Sequence, residues 1–332
     1  MLYRAAIVGT GAVIPERILT NRDLESMVDT SDEWIRTRTG IAERRIAGPG
    51  ENVSDMAATA GRLAMDDAEV RASDLDLIVV ATSSPDTIMP SAACITQSKI
   101  GAICPAFDVM AACSGFVFGL AACAALIETG AYDTVLLIGS DALTRHVDWS
   151  DRSTCVLFGD GAGAVVLRRS SGGSGVLASY LASDGRGADL LKIPAGGSAN
   201  PGSESTVSEG QHFIKMQGHE IFKFAVRAIP EAVQKALEMS SLSIDDVSYI
   251  IPHQANRRII DAAAERLGID SDRMVSNIER YGNTSTASIP IALHELEGQG
   301  KLNEGDVLVF VGFGAGLTWG ANVVRWGKGV DR

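Results

Sequence analysis

The chain has 332 residues, a formal net charge of -12 at pH 7 and 46% hydrophobic residues, with 35 glycines and few aromatics. This length suits one large domain or two ordinary ones. The acidic charge argues against general nucleic-acid binding, and the absence of a long apolar run argues against a secretory signal or membrane insertion. The five cysteines form no CxxC pair, which predicts reduced thiols in a cytoplasmic protein rather than disulfides or a metal site.

The first predicted strand covers residues 3–14 and ends in a glycine turn. Its GTGAVI segment begins like a dinucleotide-binding loop, but Ile14 stands where that motif has its third glycine. Because a partial motif is a weak signal, we interpret this segment as a buried turn.

Residues 20–46 combine two predicted helix starts with a group of basic side chains. Asn21 and Ser31 are candidate N-caps, and Trp34 stands among four arginines between positions 36 and 45. An indole ring beside guanidinium groups can stack on an adenine and attract phosphates. The alternative is a solvated basic face on which Trp34 is a packing anchor.

Three further elements precede the centre of the chain. Apolar residues at helical spacing predict a helix over residues 55–70, and a short apolar run predicts a buried strand over 75–80. A loop with two prolines follows, and residues 91–100 return to helix.

Residues 104–141 predict a strand, a helix and a second strand around Cys113. Residues 107–109 and 135–138 are short apolar runs typical of buried strands, and residues 114–128 are small or apolar on every side, as in a buried helix. Cys113 stands where the first strand passes into the helix, and the unpaired N–H groups there can lower a thiol pKa from ~8.5 towards 7. The alternative is that Cys113 is one more small core residue.

The second half of the sequence resembles the first. Two apolar segments recur at an offset of 172 residues, 74–80 with 246–252 and 135–140 with 307–312. The same offset relates Cys113 to Ser285. Such a repeat predicts two similar α/β halves, residues 1–172 and 173–332, with sheets covered by helices on both faces. Ligands should then gather at the carboxyl ends of the strands, between the halves.

The second half also contains candidate chemistry. His253 follows a buried strand, where loops often hold catalytic groups, although a lone histidine there is more often structural. Asn283 lies in a turn, and backbone N–H groups of the glycine-rich stretch 310–320 could point at a developing oxyanion. Residues 196–210 are of low complexity and predict a flexible loop or lid, and residues 217–239 predict a helix with one apolar face towards the core.

Seven segments together resemble the family of β-ketoacyl-acyl-carrier-protein synthase III, the initiating condensing enzymes of bacterial fatty-acid synthesis. They are SDEWIRTRTGIAERRI at 31–46, PSAAC at 90–94, AACSGF at 111–116, DRSTCVLFGDGAGA at 151–164, IPHQAN at 251–256, YGNTSTAS at 281–288 and GFGAGLTWG at 312–320. The resemblance covers the whole chain. It implies a homodimer with the thiolase fold, in which two similar α/β halves form five αβαβα layers, and a Cys–His–Asn triad at Cys113, His253 and Asn283.

The resemblance also implies a mechanism. Cys113 takes the acyl group of an acyl-CoA primer, and backbone N–H groups of Cys113 and Ala315 hold the oxyanion. His253 and Asn283 then donate hydrogen bonds to the thioester carbonyl of malonyl-acyl-carrier protein as CO2 departs, and the resulting carbanion attacks the acyl-cysteine. No metal or cofactor is implied, because CoA and phosphopantetheine belong to the substrates.

Binding residues follow from the same resemblance. The residues implied to hold CoA are Thr30, Trp34, Arg38, Arg152, Gly218, Phe222, Ala255 and Asn256. A basic patch for the acidic carrier protein is implied at Lys223, Arg257, Arg258 and Arg266. The alternative for this patch is a solvated helix face.

Two positions depart from the family pattern. Ala315 stands where many members have glycine, and its backbone donor survives only if the local φ allows alanine. Met89 stands where the family presents a residue of the partner subunit at the end of the acyl pocket. Because methionine is flexible, this pocket could admit more than acetyl.

The sequence argues against several rival functions. A thiolase needs a second cysteine near the C-terminal glycine loop, but the last cysteine is Cys155. An elongating synthase has histidine where Asn283 stands, and chalcone-type synthases usually have longer chains. A related Cys–His–Asn acyltransferase and a condensing enzyme of secondary metabolism stay open. The intact triad argues against an inactive acyl-CoA-binding scaffold on the same fold, and formation of an acyl-cysteine would separate the two.

Overall fold

Two mixed β-sheets carry the fold, and a computed structural model describes residues 3–328. The strands are β1 (Arg4–Val13), β2 (Ile18–Thr20), β3 (Glu43–Arg45), β4 (Leu77–Ala81), β5 (Ala106–Val109), β6 (Thr134–Asp141), β7 (Gly161–Ser170), β8 (Gly175–Ser183), β9 (Leu191–Lys192), β10 (Lys215–Met216), β11 (Tyr249–Pro252), β12 (Val307–Gly314) and β13 (Thr318–Arg325). The first large sheet has the order β1-β7-β6-β4-β5 and the second β11-β12-β13-β8. The predicted boundary between residues 172 and 173 lies in the turn from β7 to β8.

The two sheets share one connectivity. Strand β4 is parallel to β6, as β11 is to β12. Strand β7 is antiparallel to both of its neighbours, as β13 is in the second sheet. The second sheet has a single parallel bridge between Ile250 and Met274 where the first has the edge strand β5.

Helices cover and separate the sheets. They are α1 (Asn21–Glu25), α2 (Asp32–Thr39), α3 (Val53–Asp67), α4 (Ala92–Ile100), α5 (Gly115–Glu128), α6 (Arg152–Cys155), α7 (Glu204–Ser208), α8 (Gly218–Ser240), α9 (Arg257–Leu267), α10 (Ile278–Tyr281) and α11 (Ser288–Gly298). Apolar residues of α5 and α11 share one core with the facing sides of both sheets. Helices α3 and α4 cover the outer face of the first sheet, and α8 and α9 cover that of the second. The expected five-layered αβαβα thiolase fold is confirmed.

The repeat is displaced by one residue at the two turns that enter the central helices. Short 3₁₀ turns precede α5 and α11, at Ala112–Ser114 and Ser285–Ala287, so the offset is 285 − 112 = 173. Ala112 and Ser285 also share a left-handed backbone, with φ of 46° and 51°. The structural counterpart of Ser285 is therefore Ala112, and the pairing of Ser285 with Cys113 was wrong by one residue.

Local expectations were met in part. Ser31 caps α2, as predicted, but Thr20 rather than Asn21 caps α1. The Asn21 side chain is instead buried and donates to Asp32 and to the carbonyl of Ile41. The glycines of GTGAVI lie within β1 and let it pack against α3, because a Cβ on Gly9 would lie 2.3 Å from the carbonyl oxygen of Ala64.

Two further stretches differ from expectation. Strand β5 is not buried, since it forms the edge of its sheet and Phe107 is partly exposed. Residues 196–210 include the short helix α7, whose N-cap Ser203 accepts the amide N–H of Thr206. This stretch therefore has local helical structure that its composition did not predict.

Candidate active site

The candidate nucleophile Cys113 lies in the tight turn between β5 and α5. Its side chain is buried, at 8% exposure. A Cβ on Gly314, at the end of β12, would lie 2.6 Å from the amide nitrogen of Cys113, so a larger residue does not fit there. The turn therefore holds Cys113 against the end of β12, between the two halves of the chain.

The resting state of this thiol differs from expectation. Burial raises the pKa of Cys113 to about 12, and a hydrogen bond from the Ser285 hydroxyl opposes the rise. The prediction of a lowered pKa was therefore wrong, because the loss of water around the sulfur outweighs the favourable helix start. Cys113 is a protonated thiol at neutral pH.

This raised pKa predicts the pH dependence of alkylation. Because only the thiolate reacts, iodoacetamide labelling of Cys113 should rise about tenfold per pH unit and should still be increasing above pH 9. Peptide mass spectrometry over pH 6–10 measures this, with the exposed Cys94 as a reference for the reagent. A labelling midpoint at or below ~8.5, the ordinary thiol value, would contradict the desolvated resting state.

His253 directly follows β11 and is almost completely buried. Its Nδ1 lies 2.8 Å from the Ser288 hydroxyl, and its ring meets Phe313 edge-on at a centroid distance of 5.3 Å. Burial lowers the pKa of His253 to about 3. The imidazole is therefore neutral at physiological pH, and one ring nitrogen donates while the other accepts.

Ser288 controls which nitrogen of His253 carries the proton. Its single hydroxyl hydrogen has two acceptors in reach, the carbonyl oxygen of Ser285 at 2.8 Å and Nδ1 of His253. If the hydroxyl donates to Ser285, Nδ1 carries the ring proton and Nε2 is an acceptor. If it donates to Nδ1, Nε2 carries the proton and is a donor.

Asn283 is held by its neighbours with its amide nitrogen available. Its backbone N–H donates to the carbonyl of Leu157 at 2.8 Å, and its carbonyl accepts from Gly159 at 3.0 Å. Its side-chain Oδ1 accepts the backbone N–H of Ser285 at 2.9 Å. Because the oxygen is occupied in this way, the NH₂ group is the part of the amide left to donate to a ligand.

The glycine-rich loop after β12 lies beside the nucleophile. Ala315 does not have a positive φ, so alanine is accommodated there without left-handed strain. The Thr318 hydroxyl lies 3.0 Å from the carbonyl of Ala111 and 3.1 Å from that of Ala315. It therefore bridges the turn before Cys113 and the loop that contains Ala315.

Cys113 lies between two cavities. The first, of about 210 Å³, is lined by Cys113, His253 and Asn283 together. The same cavity is lined by seven of the eight residues implied to hold CoA: Trp34, Arg38, Arg152, Gly218, Phe222, Ala255 and Asn256. Thr30 lies outside it, and its buried hydroxyl has no hydrogen-bond partner among the described residues.

The mouth of the first cavity has an aromatic and cationic rim. The guanidinium of Arg152 lies 5.0 Å from the centre of the Trp34 ring and donates to the carbonyl of Asp29 at 2.8 Å. Asn256 donates to the carbonyl of Arg38 at 3.0 Å. A flat aromatic group and an anion could therefore bind at this rim.

Cys113 also lines a second cavity, of about 510 Å³. Cys113, Ser285 and Ala315 line its inner end, and Met110, Leu143 and Ile214 are among its apolar residues. Met89 lines neither cavity of its own chain and is 84% exposed. An apolar chain attached to Cys113 therefore has room in the second cavity.

The four residues of the predicted basic patch lie exposed on α8 and α9, next to the mouth. Lys223 pairs with Glu220 and Arg257 with Asp261. Arg266 donates to the carbonyl of Val226, and the guanidinium of Arg258 lies over the ring of Phe222 at 5.4 Å. Two of the four charges are therefore already paired within their own helix.

Three polar residues around the candidates have roles that were not predicted from the sequence. Ser285 and Ser288 lie in the YGNTSTAS segment, and Asp141 ends β6 as a fully buried carboxylate. Asp141 accepts from Ser84 in the first half and from Thr286 in the second, at 2.7 and 2.8 Å. The sequence feature that could have identified Asp141 is a charged residue at the end of an apolar run.

The described residues contain neither a candidate metal cluster nor a candidate membrane-spanning helix. Within residues 3–328, no group of three or more His, Cys, Asp or Glu side chains is arranged to hold a metal ion. Over the same range, no helix combines the length and apolarity that crossing a membrane requires.

Comparisons with known proteins agree with one another. Residues 107–185 match the family described as 3-oxoacyl-(acyl-carrier-protein) synthase III, and residues 237–326 match its C-terminal family. A relative from Caldanaerobacter subterraneus subsp. tengcongensis, named β-ketoacyl-(acyl-carrier-protein) synthase III, is 51% identical and covers 98% of both chains.

Solved structures are equally similar. The crystal structure of 3-oxoacyl-(acyl-carrier-protein) synthase III from Aquifex aeolicus is 46% identical, with a TM-score of 0.90 over 97% of this chain and 100% of that one. The priming β-ketosynthase of a polyketide biosynthetic pathway is 34% identical, with a TM-score of 0.90 over 97% of this chain and 96% of that one. The similarity therefore extends over nearly the whole fold.

Proposed function

Because this chain belongs to the family of 3-oxoacyl-(acyl-carrier-protein) synthase III, we propose that Cys113 is the nucleophile with which it condenses an acyl-CoA primer and malonyl-acyl-carrier protein. The chain is an acyltransferase of the condensing type, and its reaction starts fatty-acid synthesis. The observation that carries the assignment of residues is that Cys113, His253 and Asn283 line one cavity. Three residues far apart in the chain thereby meet at one reacting centre.

The first half-reaction transfers the acyl group to Cys113. The sulfur attacks the thioester carbonyl, the bond from that carbonyl to the CoA sulfur breaks, and CoA leaves with the proton that Cys113 gives up. Because His253 is neutral, its Nε2 can accept this proton and then pass it to the departing CoA. This requires that the Ser288 hydroxyl donates to the carbonyl of Ser285. Backbone N–H groups of Cys113 and Ala315 stabilise the tetrahedral oxyanion.

The second half-reaction extends the acyl group. Loss of CO2 from the malonyl group leaves a carbanion that is shared with the thioester carbonyl as an enolate. The Asn283 NH₂ donates to that oxygen, and His253 donates through Nε2 when the Ser288 hydroxyl is turned towards Nδ1. The carbanion then attacks the acyl carbonyl, and the bond to the Cys113 sulfur breaks.

The first cavity is the proposed route for both substrates. Adenine would stack at Trp34 and Arg152, and the pantetheine arm would pass Phe222 and Asn256 to reach Cys113. Thr30 does not line this cavity, so we propose that it contacts CoA only at the rim. The proposed contacts for the acidic carrier protein are Lys223, Arg257, Arg258 and Arg266. Opposite charges on the two surfaces would speed and orient the encounter more than they would strengthen binding.

We propose that the protein is a homodimer assembled at the edge of the first sheet. Strand β5 is the edge of its sheet, and exposed apolar side chains lie within it or next to it in sequence at Ile103, Phe107 and Met110. Ile88 and Met89 are exposed in the loop before α4. Exposed edges and large apolar patches are normally covered. Since Met110 also lines the second cavity, a second copy at this edge would bring its own Met89 to the outer end of the acyl pocket.

Met89→Phe tests this arrangement. A larger and stiffer ring at the end of the acyl pocket should shorten the longest acyl-CoA accepted, while acetyl transfer stays within about threefold of the original. Acyl-CoAs of increasing length are compared by the yield of acyl-enzyme. Light scattering of both proteins provides the control for assembly, and an unchanged chain-length profile in an intact dimer would exclude Met89 from the pocket.

No cofactor is proposed beyond the CoA and phosphopantetheine that the substrates bring. The enolate is stabilised by its own thioester and by two hydrogen-bond donors, so the chemistry requires no additional electron sink. Five unpaired thiols support a reducing, cytoplasmic location.

The experiment that tests the function is intact-mass spectrometry after incubation with a series of acyl-CoAs, followed by malonyl-acyl-carrier protein. An adduct on Cys113 that is discharged as 3-oxoacyl-carrier protein is the expected result, and it also identifies the primer. An adduct that passes to another acceptor would instead favour a related acyltransferase. The 34% identity to a polyketide priming enzyme keeps secondary metabolism as the second candidate pathway.

A further inference from the structure

Ser285 contacts two members of the proposed triad directly and the third through Ser288. Its hydroxyl donates to the Cys113 sulfur at 3.4 Å. Its backbone N–H donates to Oδ1 of Asn283 at 2.9 Å, and its carbonyl accepts from Ser288, which in turn holds His253. One buried residue thus touches or indirectly fixes all three side chains.

The neighbours of Ser285 hold its backbone in a conformation that serine itself disfavours. Its φ of 51° is a left-handed conformation, which is costly for a residue other than glycine. The next residue, Thr286, is held by Asp141 through its backbone N–H at 3.1 Å and its hydroxyl at 2.8 Å. Such a strained and anchored backbone at a reacting centre usually serves the chemistry there.

The electrostatics around Cys113 explain what the hydroxyl contributes. The sulfur is buried, and the carboxylate of Asp141 also raises its pKa. A hydrogen bond to a charged acceptor is stronger than one to a neutral acceptor, so an O–H donor stabilises the thiolate more than the thiol. The thiolate is formed when Cys113 attacks the acyl-CoA and again when the extended product leaves the sulfur.

We infer that Ser285 is a further catalytic residue, whose hydroxyl stabilises the Cys113 thiolate in both half-reactions. The inference rests on the proposed role of Cys113 as nucleophile. It assigns to Ser285 a task that neither His253 nor the backbone N–H groups perform, because those groups act on the transferred proton and on the carbonyl oxygens. Ser285 also lines the second cavity with Cys113, so its hydroxyl lies on the side where the acyl chain would bind.

Ser285→Ala and Ser285→Gly together separate the hydroxyl from the backbone. Both variants lose the donor, but glycine adopts a φ of about 50° without strain whereas alanine does not. Iodoacetamide labelling of Cys113 at pH 8, far below its midpoint, should fall by about 3- to 30-fold in both variants, as expected from the difference between a hydrogen bond to a charged acceptor and one to a neutral acceptor. Single-turnover acylation by acyl-CoA should fall in parallel.

A third readout distinguishes this role from a structural one. Decarboxylation of malonyl-acyl-carrier protein by the unacylated enzyme forms no bond to sulfur, so it should stay within about twofold of the original in both variants. Thr284→Ala removes a hydroxyl from the same turn, and its side chain lines neither cavity. This control should label at the original rate.

Three results would overturn the inference. They are unchanged labelling in both variants, a loss confined to the alanine variant, or a parallel loss of decarboxylation, which would make Ser285 a residue that only shapes the turn. Labelling requires no acyl-CoA. A chain that labels as expected but accepts no acyl group would therefore refute the proposed function and leave the contact between Ser285 and Cys113 supported.

Discussion

Cys113→Ala should abolish the acyl-enzyme and lower condensation by roughly 10³-fold or more, because the covalent route has no other nucleophile at this site. Among the described residues, Cys113 is the one cysteine that lines either of the two cavities. Intact mass after incubation with acyl-CoA measures the adduct, and release of CoA measures turnover.

The matched control is Cys123→Ala. Cys123 is fully buried on α5, the helix that Cys113 precedes, so this variant removes a thiol from the same element. We expect it to keep the adduct and most of the activity at a modest cost in stability. Persistence of a stoichiometric adduct in Cys113→Ala would contradict the assignment of the nucleophile.

His253→Ala should divide the reaction into its halves. Acyl-Cys113 should still form with excess acyl-CoA, more slowly, because water can take the thiol proton. Decarboxylation of the malonyl substrate should fall by about 10²- to 10⁴-fold, the usual effect of removing a group that acts on the reacting proton or oxyanion. The two steps are measured separately, by adduct mass and by release of CO2.

The opposite division of effects would also be informative. If acylation fails and decarboxylation survives, His253 is mainly the base for Cys113 and not a donor to the enolate. Asn283→Ala provides a comparison, because its NH₂ can only donate and its loss should impair decarboxylation alone. His294→Gln alters a histidine that is hydrogen-bonded to Thr10 and lines neither cavity, so both steps should be retained.

His253 is neutral and Cys113 is protonated for the same physical reason. Both groups are desolvated by the same layers, and burial disfavours the charged form of each. The resting site therefore does not hold a thiolate–imidazolium pair. Activation of the sulfur then depends on donors that act as charge develops, and the Ser285 hydroxyl is already directed at it.

The two-cavity arrangement explains how one cysteine can use two bulky substrates in turn. The first cavity reaches the rim at Trp34, and the second extends towards Met110. An acyl group on Cys113 that lies in the second cavity leaves the first free for the incoming arm. Cys113, Phe158 and Leu191 line both cavities and therefore lie where the two routes meet.

The sequence by itself determined the family, since the resemblance rests on short contiguous motifs. The layer order and the three candidate residues were then implied by that resemblance. Only the tertiary structure decided the rest. The pKa of Cys113 depends on desolvation by both halves, and the contact between Ser285 and Cys113 joins residues 172 positions apart. The exposure of Met89 and the position of Thr30 outside the cavity likewise depend on packing between distant segments. Local patterns determine which residues begin a helix or end a strand, whereas burial and hydrogen-bond partners are properties of the assembled layers.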